Sequence, residues 1–200
     1  MNIIANNCIG GYLYRLHNKE FNNPFIWTAL HFNDFIYLIQ NYGKINFNDY
    51  EILHHESDKR LFNLVIENKL TIRLPHYLFD EKFDKPTKID GVNIKYNKIW
   101  LYINEKYTTR LERFKKNTED PIFIMDFKDW LKCEKTKLDY LINELKDIKY
   151  KIYVIVPYKE YENKIVNNIH FIYDKNFNAK DIEHRTLDFH SQKTFRELYE

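Results

Sequence analysis

The sequence predicts an α/β fold: a mixed, partly parallel sheet with helices packed on it. Three observations carry that expectation. The second half alternates strand-like and helix-like segments, an order that favours parallel strands joined by helical crossovers. Two of those segments, Pro121–Phe127 and Lys151–Val156, are continuous apolar runs of strand length, as buried strands are. Two further strand-like runs, Leu61–Glu67 and Leu70–Leu74, flank Asn68-Lys69. That pair reads as a hairpin turn and makes the sheet mixed.

In chain order, Asn2–Asn6 reads as a short buried strand bounded by polar residues. Cys8–Lys19 has helical spacing, with Ile9, Tyr12, Leu13 and Leu16 to one side. Gly10 and Gly11 are poor helix formers in its first turn and suggest a close approach by backbone or ligand. After the loop Phe21-Asn22-Asn23-Pro24 and the apolar Phe25-Ile26-Trp27, a second helix is expected from about Asn33 to Asn41, ended by Gly43. Residues 49–75 read as strands. Val92–Ile103 alternates apolar and polar residues before the run Ile99-Trp100-Leu101-Tyr102, and a basic helix follows over Lys106–Lys116. Lys135–Asp147 is an amphipathic helix, Ile169–Tyr173 a last strand and Lys193–Tyr199 a closing helix. No repeat, low-complexity tract or linker interrupts the 200 residues, so a single domain over 1–200 is expected.

Composition narrows the function classes. A hydrophobic fraction of 44% with 30% charged residues belongs to a globular chain. The net charge of +2 comes from interleaved lysine, arginine, aspartate and glutamate, which argues against a nucleic-acid stripe. No apolar run approaches the ~20 residues of a membrane span. The first residues lack a basic, apolar leader, so a cytoplasmic location is expected, with peripheral membrane association left open. Cys8 and Cys133 give neither a disulfide framework nor metal-ligand spacing. No His-x-x-x-His with a third ligand stands out, and no metal is expected. The sequence has no Gly-x-Gly-x-x-Gly, no P-loop, no Gly-x-Ser-x-Gly and no Asp-x-Asp.

Cys8 is the leading candidate for chemistry. A thiol where a strand turns into a helix sits beside unpaired amides at the positive end of the helix dipole. Both favour the nucleophilic thiolate. The same amides, helped by Asn6 or Asn7, can hold an oxyanion, and the Gly10-Gly11 pair would admit a substrate. The alternative is a small buried hydrophobe. A base is sought among eight histidines. His76 follows an inferred strand, and His17 and His31 lie near the first helices as rivals. His54 and His55 would point to opposite faces of a strand, His170 interrupts an apolar strand, and His184 and His190 lie in a polar tail. Asp80, Asp84, Asp90 and Asp126 are candidates to orient the base. Arg110 and Arg113, three apart on one helix face, could grip a phosphate or carboxylate, or pair with Glu105 and Glu112 on a solvated face.

The stretch Ile3-Ile4-Ala5-Asn6-Asn7-Cys8-Ile9-Gly10-Gly11-Tyr12-Leu13-Tyr14, followed by Phe21-Asn22-Asn23-Pro24-Phe25 and Asn33-Asp34-Phe35, resembles a bacterial family of uncharacterised exopolysaccharide-biosynthesis proteins with an Asn-Asn-Cys-x-Gly-Gly start. The chain is also similar in pattern to the papain-like cysteine peptidase family. The similarity runs through the early Cys8, Pro24-Phe25-Ile26-Trp27, Pro75-His76, and Lys106-Tyr107-Thr108-Thr109-Arg110-Leu111-Glu112-Arg113-Phe114. These matches span about residues 3–127. They imply Cys8 as nucleophile, His76 as base and a papain-like form of the α/β fold. Tyr77 stands where the peptidase-like pattern has Asp, so no third member of a triad is named.

The expectation is therefore a Cys/His-dependent acyltransferase or hydrolase in surface or capsular polysaccharide biosynthesis. Cys8 and His76 would be catalytic, Asn7 and the first helical amides would hold the oxyanion, and Arg110 and Arg113 an anionic part of donor or acceptor. The substrate would be a sugar, nucleotide sugar or glycolipid, with room for a coenzyme A-type acyl donor. The alternatives are a glycosyl- or phospho-sugar transferase of the same pathway, with Cys8 structural, or a non-catalytic assembly scaffold.

Overall fold

The computed structural model describes residues 2–54, 61–75, 87–89, 92–94, 96–127 and 135–176. His55, His76, Asp80, Asp84, Asp90, Cys133, His184, His190 and the expected helix Lys193–Tyr199 lie outside the described residues.

Five strands form the main sheet: β1 (Ile3–Ala5), β8 (Ile122–Asp126), β9 (Lys151–Val156), β11 (Ile169–Tyr173) and β10 (Ile165–Val166), in that spatial order. The first four are mutually parallel, and β10 closes the far edge as the antiparallel arm of a hairpin with β11. A second, antiparallel sheet has the order β2 (Ala29–Leu30), β5 (Leu70–Leu74), β4 (Phe62–Ile66), β3 (Tyr50–His54). β6 (Thr87–Ile89) and β7 (Val92–Ile94) pair as a hairpin. Four α-helices accompany them: α1 (Ile9–Leu16), α2 (Phe32–Asn41), α3 (Tyr96–Lys116) and α4 (Lys135–Leu145). The expected α/β class, with a mixed and mostly parallel sheet and helices packed on it, is what the structure has.

Alternation along the parallel strands sends side chains into two cores. Ile4, Phe123, Met125, Ile152, Val154, Val156, Ile169 and Phe171 face the larger core, which α2, α3, α4 and the antiparallel sheet complete. Ile3, Ala5, Ile124, Tyr153, Ile155 and Ile172 face the smaller one, with α1 and Ile26-Trp27. Burial on both faces is the reason Phe123–Met125 of β8 and Ile152–Val156 of β9 carry no charged residue.

The alternation read over Val92–Ile103 and the helix start expected at Lys106 are corrected. Only Val92–Ile94 is extended, and α3 begins at Tyr96. Ile99, Ile103, Tyr107, Leu111 and Phe114 recur at helical spacing and fill the core, whereas Trp100 and Leu101 face outward at 50% and 56% exposure. The hairpin turn also sits one residue earlier than expected, because Glu67 and Asn68 carry the positive φ values of 51° and 53°.

β1 is an edge strand, and its open side is satisfied by side chains. The Ile3 N–H donates to the Tyr14 hydroxyl at 3.3 Å, and the Ile3 carbonyl accepts from the Asn23 amide at 2.7 Å. Asn23 is fully buried, donates also to Tyr14 at 3.1 Å and accepts from the Phe25 N–H at 3.0 Å. The Tyr14 hydroxyl donates to Asn22. Satisfying both Ile3 groups removes a template for edge-to-edge pairing.

Burial raises the pKa of Tyr14 from the usual 10.0 to about 12 and raises that of Tyr107 as well. The unfolded chain therefore loses these protons first as pH rises. Stability is expected to be intact below pH 10 and to fall above it, by about 1.4 kcal/mol per pH unit for each tyrosine. Urea unfolding at pH 9 and 11 checks this, and Tyr14→Phe should flatten the decline; a stability independent of pH across that window contradicts it.

Candidate functional site

Parallel α/β sheets place functional groups at the carboxyl ends of their strands. Here that edge carries Asn6, Asn7 and Cys8 after β1, Asp126 at the end of β8 and Asp174 after β11. Asn6 prolongs the ladder with its side chain. Its amide nitrogen donates to the Asp126 carbonyl at 2.9 Å, and its oxygen accepts the Asp126 N–H at 2.8 Å. Its own N–H continues the pairing to Ile124 at 3.1 Å. Asn7 turns the chain: its side-chain oxygen accepts the Ile9 N–H at 3.0 Å, an Asx-type turn that opens α1. Its amide nitrogen donates to the Asp126 carboxylate at 3.0 Å. Asn6, Asn7 and Asp126 are each at least 97% buried, so the junction is rigidly specified.

Cys8 is the residue so presented. It occupies the N-cap position of α1, is half-buried and has its outer side packed beside the smaller core. Its carbonyl accepts the Tyr12 N–H at 3.2 Å. The first-turn amides after it belong to Gly10 and Gly11 and point with the positive end of the helix dipole.

The close approach expected at the glycines does occur, but the approaching groups are the protein's own. A Cβ on Gly10 would lie 3.3 Å from that of Ala5 on β1, and one on Gly11 only 2.6 Å from the Trp27 ring. Trp27 is held there by an edge-on contact with Tyr12 at 5.0 Å and by the Arg15 guanidinium 4.5 Å from its centre. Both glycine side faces are thus filled by packing. Asn7, expected as an oxyanion donor, holds the turn through Asp126 and Ile9.

The arginines expected to grip an anion both hold the segment before β2. Arg110, on α3, donates to the Ile26 carbonyl at 2.9 Å. Arg113 donates to the Phe21 carbonyl at 3.2 Å and pairs with Glu20 at 2.9 Å. That ion pair is largely exposed and worth about 0–1 kcal/mol.

Among the described histidines, His17 caps the opposite end of α1, about 13.5 Å along the helix from Cys8. His31 is nearer in the fold. The preceding Leu30 donates its N–H to the Asn6 carbonyl at 2.8 Å, and the following Phe32 ring lies 5.8 Å from that of Phe127. His31 is therefore bracketed by contacts to the residues flanking Asn7 and Asp126. His170 stacks on Tyr153 at 5.0 Å, and His54 lies against Phe62 at 4.7 Å. Among the described residues, no three His, Cys, Asp or Glu side chains converge as metal ligands.

No protein-family model matches this chain, and no curated protein matches it. No described helix is long and apolar enough to cross a membrane. The site therefore stands on its own geometry. A buried carboxylate at the same edge of the sheet escaped sequence reasoning: Asp174, 98% buried, which follows β11 and accepts the Asn176 N–H at 2.8 Å. It follows an apolar strand as Asp126 ends one, and that shared position was the available clue.

Two stability effects follow. Asp126→Ala strands the buried Asn7 amide and should cost about 1–3 kcal/mol in urea unfolding. A change under about 0.5 kcal/mol would show that the junction does not depend on that bond. Gly11→Ala forces Trp27 to move and should cost about 1–3 kcal/mol, with much of the loss absent in a Trp27→Leu background.

Proposed function

We propose that the chain is a cysteine-dependent acyl-transfer enzyme acting on carbohydrate intermediates of surface or capsular polysaccharide. The observation that carries this reading is the position of Cys8: half-exposed, at the carboxyl edge of a parallel sheet, on the N-cap of α1. The amides of the first turn favour an anionic sulfur, against a pKa of ~8.5 for an unperturbed thiol.

In the proposed reaction the Cys8 proton passes to an imidazole, and the thiolate adds to the acyl carbonyl. The carbonyl π pair moves to oxygen, and the Gly10 and Gly11 amides stabilise that oxyanion. Collapse expels the leaving group, which takes the proton from the imidazolium, and leaves a thioester on Cys8. A sugar hydroxyl, or water, then adds to the thioester, gives its proton to the same imidazole and releases the thiol. A coenzyme A thioester is a suitable donor. His76 is the base implied by the sequence pattern, and His31 is the histidine whose backbone lies beside the junction. The carbohydrate pathway and the papain-like relationship rest on the sequence resemblance.

The reaction class is tested with p-nitrophenyl acetate as acyl donor. A stoichiometric burst and an acetyl adduct on Cys8 in the intact mass are expected, both lost in Cys8→Ala with the fold retained. Equal acetylation of Cys8→Ala would defeat the assignment. His76→Gln and His31→Gln identify the base, whose removal should slow acylation about 10²-fold or more and abolish its pH dependence near neutrality. If neither substitution changes the profile, neither His76 nor His31 is the base.

A further inference from the structure

Trp27 is held in place by an unusual backbone. Its φ is 61°, in the left-handed region that bulky residues rarely enter. Arg110, a 92% buried side chain on α3, fixes the preceding peptide by donating to the Ile26 carbonyl at 2.9 Å. The Thr28 hydroxyl on the other side donates to the Phe25 carbonyl at 2.7 Å. The indole that these contacts deliver fills the space beside Gly11, where a Cβ would lie 2.6 Å from the ring. Gly11 stands one helical turn after Cys8 and one before Arg15, so the ring is set along α1 between the thiol and the guanidinium.

The solvent side of α1 follows the same line. Ile9, Gly10, Gly11, Leu13 and Tyr14 are buried, Cys8 and Tyr12 are half-buried, and Arg15 is exposed. Cys8, Tyr12 and Arg15 recur at i, i+4 and i+7 and form one stripe of the helix. Tyr12 meets the Trp27 ring edge-on at 5.0 Å, and the Arg15 guanidinium lies over that ring at 4.5 Å. A guanidinium seated on an aromatic face loses freedom while keeping an N–H fork that matches carboxylate or phosphate oxygens. The charges nearby favour an anion as well. Lys19, past the end of α1, is exposed and positive, and Glu20 is paired with Arg113 at 2.9 Å.

We propose that Arg15, seated on Trp27, is a specificity-determining residue that holds an anionic group of the substrate, a carboxylate or phosphate, while Cys8 reacts. The proposal rests on Cys8 being the reacting group. Seven residues of helix separate the two side chains, about 10 Å of rise. A long side chain on a helix leans toward the N-terminus, so the anion would lie within about 10 Å of the reacting carbon. Tyr12 stands midway along that path. The favoured substrates are therefore those with a negative group at the far end of a short chain, and neutral analogues of the same length are disfavoured.

Alkylation of Cys8 in the full chain tests this, because it needs an accessible thiol and no acyl transfer. The probes are maleimidocaproic acid, which carries a carboxylate at the end of its alkyl arm, and its neutral methyl ester, with the Cys8 adduct read by peptide mass. At low ionic strength the acid is expected to label Cys8 at least about threefold faster than the ester, an advantage that high salt removes. Arg15→Gln should bring that ratio to about one, and Trp27→Leu, which removes the seat of the guanidinium, should lower it; Lys19→Gln should retain it. The proposal is overturned if the acid is no faster than the ester, or if Arg15→Gln keeps the preference. It is also overturned if Lys19→Gln loses as much as Arg15→Gln, which would mark diffuse charge rather than a site. Should Trp27→Leu fail to fold, Arg15→Gln, a change at an exposed position, decides. Failure of both reagents to label Cys8 overturns this proposal and the acyl-transfer reading together. A preference for the acid without a p-nitrophenyl acetate burst overturns the acyl-transfer reading alone.

Discussion

β1 has a hydrogen-bonded partner strand on one side only, and the closing of its other side organises the molecule. Tyr14 and Asn23 occupy the Ile3 backbone groups, and Leu30 occupies the carbonyl of Asn6. These three contacts fasten residues 22–30 along β1 and deliver the chain to the antiparallel sheet and the start of α2. From the far side, Arg110 and Arg113 fix the same segment to α3 through carbonyls at Ile26 and Phe21. One strip of irregular backbone is therefore tied on both flanks, its buried carbonyls at Phe25 and Ile26 both accepting side-chain donors.

The polar residues at the carboxyl edge of the sheet share a division of labour. Asn6 acts as an additional rung of the parallel ladder, because its side-chain amide has the same donor and acceptor pair as a peptide unit. Asn7 then reverses the chain over a buried carboxylate, and Cys8 follows with less of its surface covered than either. The turn that carries Cys8 is held by two asparagines and an aspartate. Precision of that kind is what catalysis by positioning requires.

Much of this architecture was legible because its strands obey simple rules. β8 and β9 are apolar at every position that two packed faces demand, and α4 keeps Leu138 and Leu141 on one stripe. α3 was read late because Trp100 and Leu101, apolar yet outward-facing, mask a helical stripe as a strand-like run. The Gly10-Gly11 pair correctly signalled crowding, but a sequence cannot say that Trp27, sixteen places from Gly11, supplies the crowding group. Arg110 and Arg113 look equivalent on a helical wheel. Only tertiary structure shows that Arg113 pairs with Glu20, while Arg110 is enclosed and holds the Ile26 carbonyl. Asp126 was visible as the end of a buried strand; its bond to Asn7 spans 119 residues and has no local trace.

The pairing of β1 with β8 also bears on how the chain acquires its form. Asn6 and Asp126 are 120 residues apart in sequence, yet they exchange two hydrogen bonds. Closing so long an interval is entropically expensive, and such non-local contacts slow folding. During synthesis β1 leaves the ribosome well before β8 exists, so Ile3, Ile4 and Ala5 wait without their partner. The Asn-Asn-Cys junction can be assembled only after β8 has docked, which makes it one of the last features of the molecule to form.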